Sequence, residues 1–227
     1  AEAGIVSARA TVLARIRRSL GVTGNESERN ATVDDRLGRA PKGVVPARGQ
    51  LPPAERLALF AAMAAKVAAT VQRVAATDEV PAAVADYLRS HNLPAALRIG
   101  DDALIAGLPW EKTQIAVSRG AADADDAVGL SHAFAGVAES GTLMLASGRD
   151  NPTTLNFLPE THVVVLGADD VVGDYETAWE RLRAVAGKGQ MPRTVNMVTG
   201  PSHSGDIEQT ILLGAHGPRR LHIIVIG

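Results

Sequence analysis

Two uninterrupted apolar runs, Val163-Val164-Val165-Leu166 and Ile223-Ile224-Val225-Ile226, limit what this chain can fold into more than any other feature. A strand with one wet face alternates apolar and polar residues; an unbroken run needs cover on both faces. Such strands belong inside a mostly parallel sheet with helices packed against it. The remaining pattern agrees. Strand candidates at Val71–Val74, Leu97–Ile99, Ile115–Val117, Val128–Leu130, Gly141–Leu145 and Val195–Thr199 alternate with helix candidates at Glu79–His91, after Pro152, at Tyr175–Val185 and at about Gly205–Leu213. The expected fold class is therefore α/β, three layers around a mostly parallel central sheet, with no internal repeat.

The amino-terminal third reads differently. Ile5, Val12, Leu13, Ile16 and Leu20 recur at helical spacing from about Ala3 to Leu20, and Gly21 stops that helix. Gly21 to Pro53 is polar, rich in Gly, Pro, Asn and Arg, and aperiodic, which predicts an extended arm or loop. Such an arm serves as a solvated linker, wraps the body, covers a site, or reaches a second subunit of a homo-oligomer. Pro53 then opens a helix from Ala54 to about Ala69, with Leu57, Phe60, Ala61, Ala64 and Val67 on one face. Residues 1–69 are expected as helices and arm of the same unit, and residues 70–227 as the α/β domain.

Composition excludes whole classes of function. A net charge of -2, from 23 basic and 25 acidic side chains, supplies neither the basic field that nucleic acid requires nor a polybasic membrane anchor. Zero cysteines exclude disulfides, thiolate-bound zinc, cysteine-ligated iron–sulfur clusters and a cysteine nucleophile within this chain. Redox chemistry would then depend on a partner or a diffusible cofactor. No apolar run reaches the roughly 18 to 20 residues of a membrane span, and no signal-peptide core opens the chain, so a cytoplasmic protein is expected.

The chemistry-bearing residues cluster after strand candidates. Thr199-Gly200-Pro201-Ser202-His203-Ser204-Gly205-Asp206-Ile207-Glu208 has the glycine spacing of a phosphate loop. Asp206 and Ile207 stand where a nucleotide loop needs Lys and Ser or Thr, and an acid there repels phosphate. Two readings remain: a helix start in which Ser202 or Ser204 caps and Asp206 and Glu208 complement the dipole, or a loop holding a neutral or weakly anionic ligand. In the second, Ser202, Ser204 and backbone donors bind, and Asp206 or Glu208 accepts from the ligand's hydroxyls. Glu139, before Ser140-Gly141-Thr142, is a nucleophile or general-base candidate if its carboxylate is desolvated at the sheet's mouth, or else a solvated loop acid. Ser147 and Asn156 serve as ligand contacts or caps. Among the six histidines, no pair has metal-binding helical spacing and no metal site is expected; His222, in an apolar strand, reads as a core residue and His216, in a Gly/Pro loop, as the functional candidate. Gly129-Leu130-Ser131-His132-Ala133 lacks the second glycine of a nucleophile elbow.

Taken together, Glu139-Ser140-Gly141-Thr142-Leu143, Leu158-Pro159-x-x-His162-Val163-Val164-Val165, Gly200-Pro201-Ser202-x-Ser204-x-Asp206-Ile207-Glu208 and Gly214-x-His216-Gly217-Pro218-x-x-Leu221-His222 resemble the lactate utilization protein C family, the LUD domain. The resemblance runs in order from about Val71 to Gly227. Ser140, Ser204 and Gly205 depart from the commoner Glu-Thr-Gly-Thr and Ser-x-Thr-Ala-Asp-Ile-Glu patterns, but the hydroxyls persist. It implies the fold shared by ribose-phosphate isomerases, glucosamine-phosphate deaminases and CoA transferases. It also implies participation, with two iron–sulfur partner proteins, in oxidising L-lactate to pyruvate, the clusters residing on those partners. Three roles stay open: holding a small hydroxy or keto acid through Thr142, Ser147, Asn156, Thr199–Ser202, Ser204, Asp206, Glu208 and His216 at the sheet's carboxyl edge; acyl or CoA transfer with Glu139 as nucleophile, by analogy with the related fold; or a scaffold that docks through Gly21–Pro53.

Overall fold

The computed structural model describes residues 7–187, 189–207 and 210–227. They form two compact units, Ala1–Gly43 and Val44–Gly227. The first unit holds helices α1 (Ala8–Leu20) and α2 (Ser27–Arg39). Ser7 caps α1 by accepting from the Ala10 N–H at 3.2 Å, and Gly21, at φ 63°, closes it in the left-handed conformation. Helix α2 corrects the expectation of an aperiodic arm over Gly21–Pro53. It buries no residue, and Val33 and Leu37 are its only large apolar side chains, too few to mark a helix among polar neighbours. Before it, Glu26 accepts from Thr23 N–H and Gly24 N–H; these backbone donors hold its carboxyl down at about 2. An Asp35–Arg39 pair one turn apart supports its end.

The second unit opens with α3 (Pro53–Lys66), so that helix lies with the α/β body rather than with the arm. There follow β1 (Thr70–Val74), α4 (Val80–Ser90), β2 (Ala96–Ile99), α5 (Ala103–Ala106), β3 (Ala116–Arg119), β4 (Val128–His132), β5 (Ala135–Val137), β6 (Thr142–Ala146), β7 (Thr161–Gly167), β8 (Val171–Val172), α6 (Tyr175–Ala186), β9 (Val195–Val198), β10 (His203–Ile207), β11 (Thr210–Leu213) and β12 (Arg220–Ile226). Six strands make the main sheet in the order β1-β12-β7-β4-β2-β3, every pairing parallel. The two apolar runs are neighbouring inner strands, β7 and β12, with Val163 to Leu166 and Ile223 to Val225 all fully buried. Alternate side chains on them enter two different cores. Val163, Val165 and Ile224 join the core under α4, with Val84 and Leu88; Val164, Leu166, Ile223 and Val225 join Leu57, Phe60 and Ala64 of α3.

On the α3 side the chain adds a second sheet, β8-β5-β6-β9, in which β6 runs antiparallel to both β5 and β9. Leu143 and Leu145 of β6 face the α3 core, while Met144 faces a third core with Ala178 and Leu182 of α6. The short strands β5 and β8, three and two residues long, were not apparent as separate elements in the sequence pattern. Helix α6 starts at Asp174, whose carboxylate accepts from the Thr177 N–H at 2.9 Å.

The expected helix over Gly205–Leu213 is instead the hairpin β10–β11, with His203 opposite Leu213. Ile207 and Ile211 are four residues apart, a spacing that fits one helix face, but so short an apolar pattern does not separate helix from strand. With the helix goes the helix-start reading of the preceding loop: no dipole is presented there.

Candidate functional site

Strand β9 delivers Thr199 and Gly200 from the second sheet toward the main one. Gly200 has φ 75°, and a Cβ there would lie 2.2 Å from the Val67 carbonyl oxygen, so glycine alone lets the loop rest on the end of α3. Ser202 then stitches two loops together. Its N–H donates to Pro218 O at 2.8 Å, its carbonyl accepts from Gly214 N–H at 3.0 Å, and its hydroxyl accepts from His216 N–H at 3.4 Å. Residues 199–203 and 216–218 thus form one wall of a cavity of about 250 Å³. The other wall is His162, Leu221 and, from the 3-10 turn Thr153–Asn156, Asn156 with the following Phe157.

This placement corrects the expected position at the carboxyl edge of the sheet. His162 and Leu221 are each the second residue of their strands, so the cavity sits at the amino ends of β7 and β12. The reason is topological: the loop does leave the carboxyl end of a strand, but β9 belongs to the second sheet and not to the main one.

A buried polar cluster lies behind the cavity wall. His162 has no exposed surface, and its Nε2 hydrogen-bonds Ser131 Oγ, which also donates to Asn156 Oδ1 at 3.2 Å. Burial pushes the His162 imidazole down to about 3, so it is neutral at physiological pH. Its Nδ1 is buried without a hydrogen-bond partner among the described residues. Sequence reasoning counted His162 but assigned it no role; the available signal was a histidine opening an unbroken apolar run, where every polar atom must be satisfied. Ser131, read as a failed nucleophile elbow, lies inside β4 with 2 % exposure.

Glu139 does not line the cavity. Its side chain is 4 % exposed and accepts from the Tyr175 N–H at 3.3 Å, at the start of α6, where a carboxylate complements the helix's free N–H groups. The turn after it connects to the cavity wall through hydroxyls. Thr142 Oγ1 lies 2.7 Å from Ser140 Oγ, 2.7 Å from Tyr175 OH and 2.6 Å from Thr199 Oγ1. Thr142→Val keeps the shape but removes the shared hydroxyl, leaving its neighbours short of a partner. The expected loss is about 1–3 kcal/mol of stability in urea unfolding; an unchanged midpoint would count against the network.

Other expected contacts fall elsewhere. Ser147 accepts from the Thr194 N–H at 2.9 Å and borders a separate cavity with Gly148, Thr153 and Arg193. Ser204 and Asp206 lie on β10, and Glu208 lies outside the described residues. Asn156, Thr199, Gly200, Pro201, Ser202 and His216 therefore converge on one cavity, with Thr142 one hydrogen bond behind it. His216 also borders an adjoining hollow that contains Glu160 and Arg219. A larger hollow of about 450 Å³ lies beside α4 and β2, lined by Asp86, Arg89 and Lys112 among apolar groups, and gathers none of these residues. His222 is a core residue, stacked on Tyr87 with ring centres 3.9 Å apart and 2.8 Å from Thr70 Oγ1. Among the described residues no group of three or more His, Asp or Glu side chains is placed to hold a metal ion, and no helix is long and apolar enough to cross a membrane.

Comparison with known proteins gives this arrangement its context. The chain is 35% identical over 100 residues to lactate utilization protein C of Geobacillus sp. (strain WCH70), covering 44% of this chain and 42% of that protein. It is 31% identical over 99 residues to lactate utilization protein C of Shouchella clausii, covering 44% and 43%. The matched stretch thus spans less than half the length of these relatives. Among solved structures, a DUF162 family protein from Deinococcus radiodurans superposes with a TM-score of 0.60 at 25% identity, covering 78% of this chain and 99% of that one. The family model of the LUD domain matches residues 57–226, from α3 through β12. The chain belongs to the LUD domain family.

Proposed function

We propose that this chain is a component of lactate utilization that takes part in oxidising L-lactate to pyruvate together with iron–sulfur partner proteins in the cytoplasm. Its own task is to hold the small hydroxy or keto acid. The observation that carries this reading is the convergence of Asn156, Thr199, Gly200, Pro201, Ser202 and His216 on one cavity of about 250 Å³, a volume suited to a three-carbon acid. Ser202 and His216 offer polar contacts on one wall, and Phe157, Met197 and Leu221 offer apolar surface for a methyl group. A chain without cysteine leaves the electron-accepting clusters to its partners. Relatives named for lactate utilization support the same assignment.

Deleting the gene tests the role. Growth on L-lactate as sole carbon source is expected to fail and to return on complementation, with growth on glucose unchanged. Undiminished growth and lactate oxidation in the deletion strain would overturn the assignment.

A further inference from the structure

A small acid carries a carboxylate, yet the residues lining the cavity include no lysine or arginine to meet it. A negative charge seated there without a partner is costly. The adjoining hollow supplies the missing cation. It shares Phe157, His216 and Gly217 with the cavity, and Arg219 is the one arginine or lysine among the described residues that line either space. The fold places this side chain. Its backbone N–H donates to Glu160 O at 2.8 Å, where the chain enters β7 and β12, and a Cβ on Gly214 would overlap the Arg219 Cγ. Glycine at 214, with φ 82°, therefore leaves room for the arginine stem, and the Gly214 N–H donates in turn to Ser202 O at 3.0 Å. Glu160 lines the same hollow but forms no ion pair with Arg219, whose guanidinium makes no hydrogen bond among the described residues.

We infer that Arg219 binds the carboxylate of the acid, which lies across the boundary formed by Phe157 and His216 with its charged end in the adjoining hollow and its other end in the cavity. The inference rests on the cavity being the acid site. A guanidinium presents parallel N–H donors that match the two oxygens of a carboxylate, so it fixes the orientation of the acid as well as its charge. An exposed ion pair is worth little in open water. Here Phe157 and Leu158, both partly exposed, flank the hollow with apolar surface, and an acid seated against them displaces water from around the pair and strengthens it. An uncharged amide of the same shape forfeits that interaction. The site therefore selects a carboxylate over its amide, and Arg219 is the residue that makes the distinction.

Isothermal titration of the full chain with L-lactate and with L-lactamide tests this. L-Lactate is expected to bind at least about tenfold more tightly than L-lactamide, and to weaken as salt is raised. In Arg219→Gln its affinity should fall to within about twofold of that of the amide, whose own binding stays as in the wild type; Arg219→Lys should restore part of the loss. Arg219 is exposed, so these substitutions remove a charge without opening the core. Equal binding of lactate and lactamide by the wild type, undiminished lactate binding in Arg219→Gln, or an equal loss of both ligands in that variant would overturn the role of Arg219 and leave the acid site intact. Failure of both ligands to bind the wild type would overturn the acid site and this inference with it.

Discussion

Gly141→Ala is expected to lower the unfolding free energy by about 3–5 kcal/mol. Two penalties combine. Gly141 sits at φ 69°, where a side chain costs about 1–2 kcal/mol. Its added Cβ would also stand 2.3 Å from Ala64 N, 2.6 Å from Met63 C and 2.7 Å from Ala64 Cα. These are backbone atoms of α3, which no rotamer change can move aside. Relief requires α3 to shift, and α3 carries Leu57, Phe60 and Ala64 into the core shared with β7 and β12. Urea unfolding followed by circular dichroism measures the effect. A loss below about 1 kcal/mol would mean that the β5–β6 turn does not rest on α3 as described. Because the same turn carries Thr142, whose hydroxyl reaches Thr199, the substitution should also disturb the cavity wall.

Acid is expected to remove stability of the order of 5 kcal/mol between pH 6.5 and pH 4. The sign follows from two buried histidines. Burial lowers His162 from 6.5 to about 3 and His222 from 6.5 to about 4, the latter aided by the nearby His91 charge. In this window the unfolded chain binds protons that the folded chain refuses, so stability rises with pH and falls as pH drops through 6.5. Each group contributes a slope of up to about 1.4 kcal/mol per pH unit. His132 acts oppositely: its hydrogen bond to Asp102, at 3.1 Å, raises its pKa, so the stability it adds is present below 6.5 and fades as pH rises through the folded value. Two depressed groups outweigh one raised group, and the net slope stays positive. Unfolding titrations at pH 7, 6 and 5 should show it, and His222→Gln should flatten it by about one proton's worth. A flat profile in the wild type would contradict the burial of these rings.

The main sheet was legible because its inner strands could be nothing else: Val163–Leu166 and Ile223–Ile226 carry no polar break. The second sheet was less so. Strands β5 and β8 draw their stability from β6 and from the α6 core, and two or three residues hold too little pattern to announce themselves. Helix α2 stayed hidden because Val33 and Leu37 alone, among polar and charged neighbours, are too short an apolar pattern to mark a helix. At the cavity, the Thr199–Ser202 and His216 loops stood out by turn chemistry, because glycine, proline and serine mark where backbone must bend or cap. His162 did not, because its meaning depends on Ser131, 31 positions away, which in turn pairs with Asn156, 25 positions from Ser131, in contacts that only the fold creates. Glu139 drew notice as a carboxylate beside a glycine turn; its contact with the first N–H of α6 depends on a helix 36 residues later.

A crystal structure of the protein grown with saturating L-lactate decides whether this cavity is the acid site. The acid is expected between Ser202, His216 and Phe157, at the amino ends of β7 and β12. An empty cavity under those conditions, or lactate seated at Glu139 or in the hollow beside α4, would contradict it.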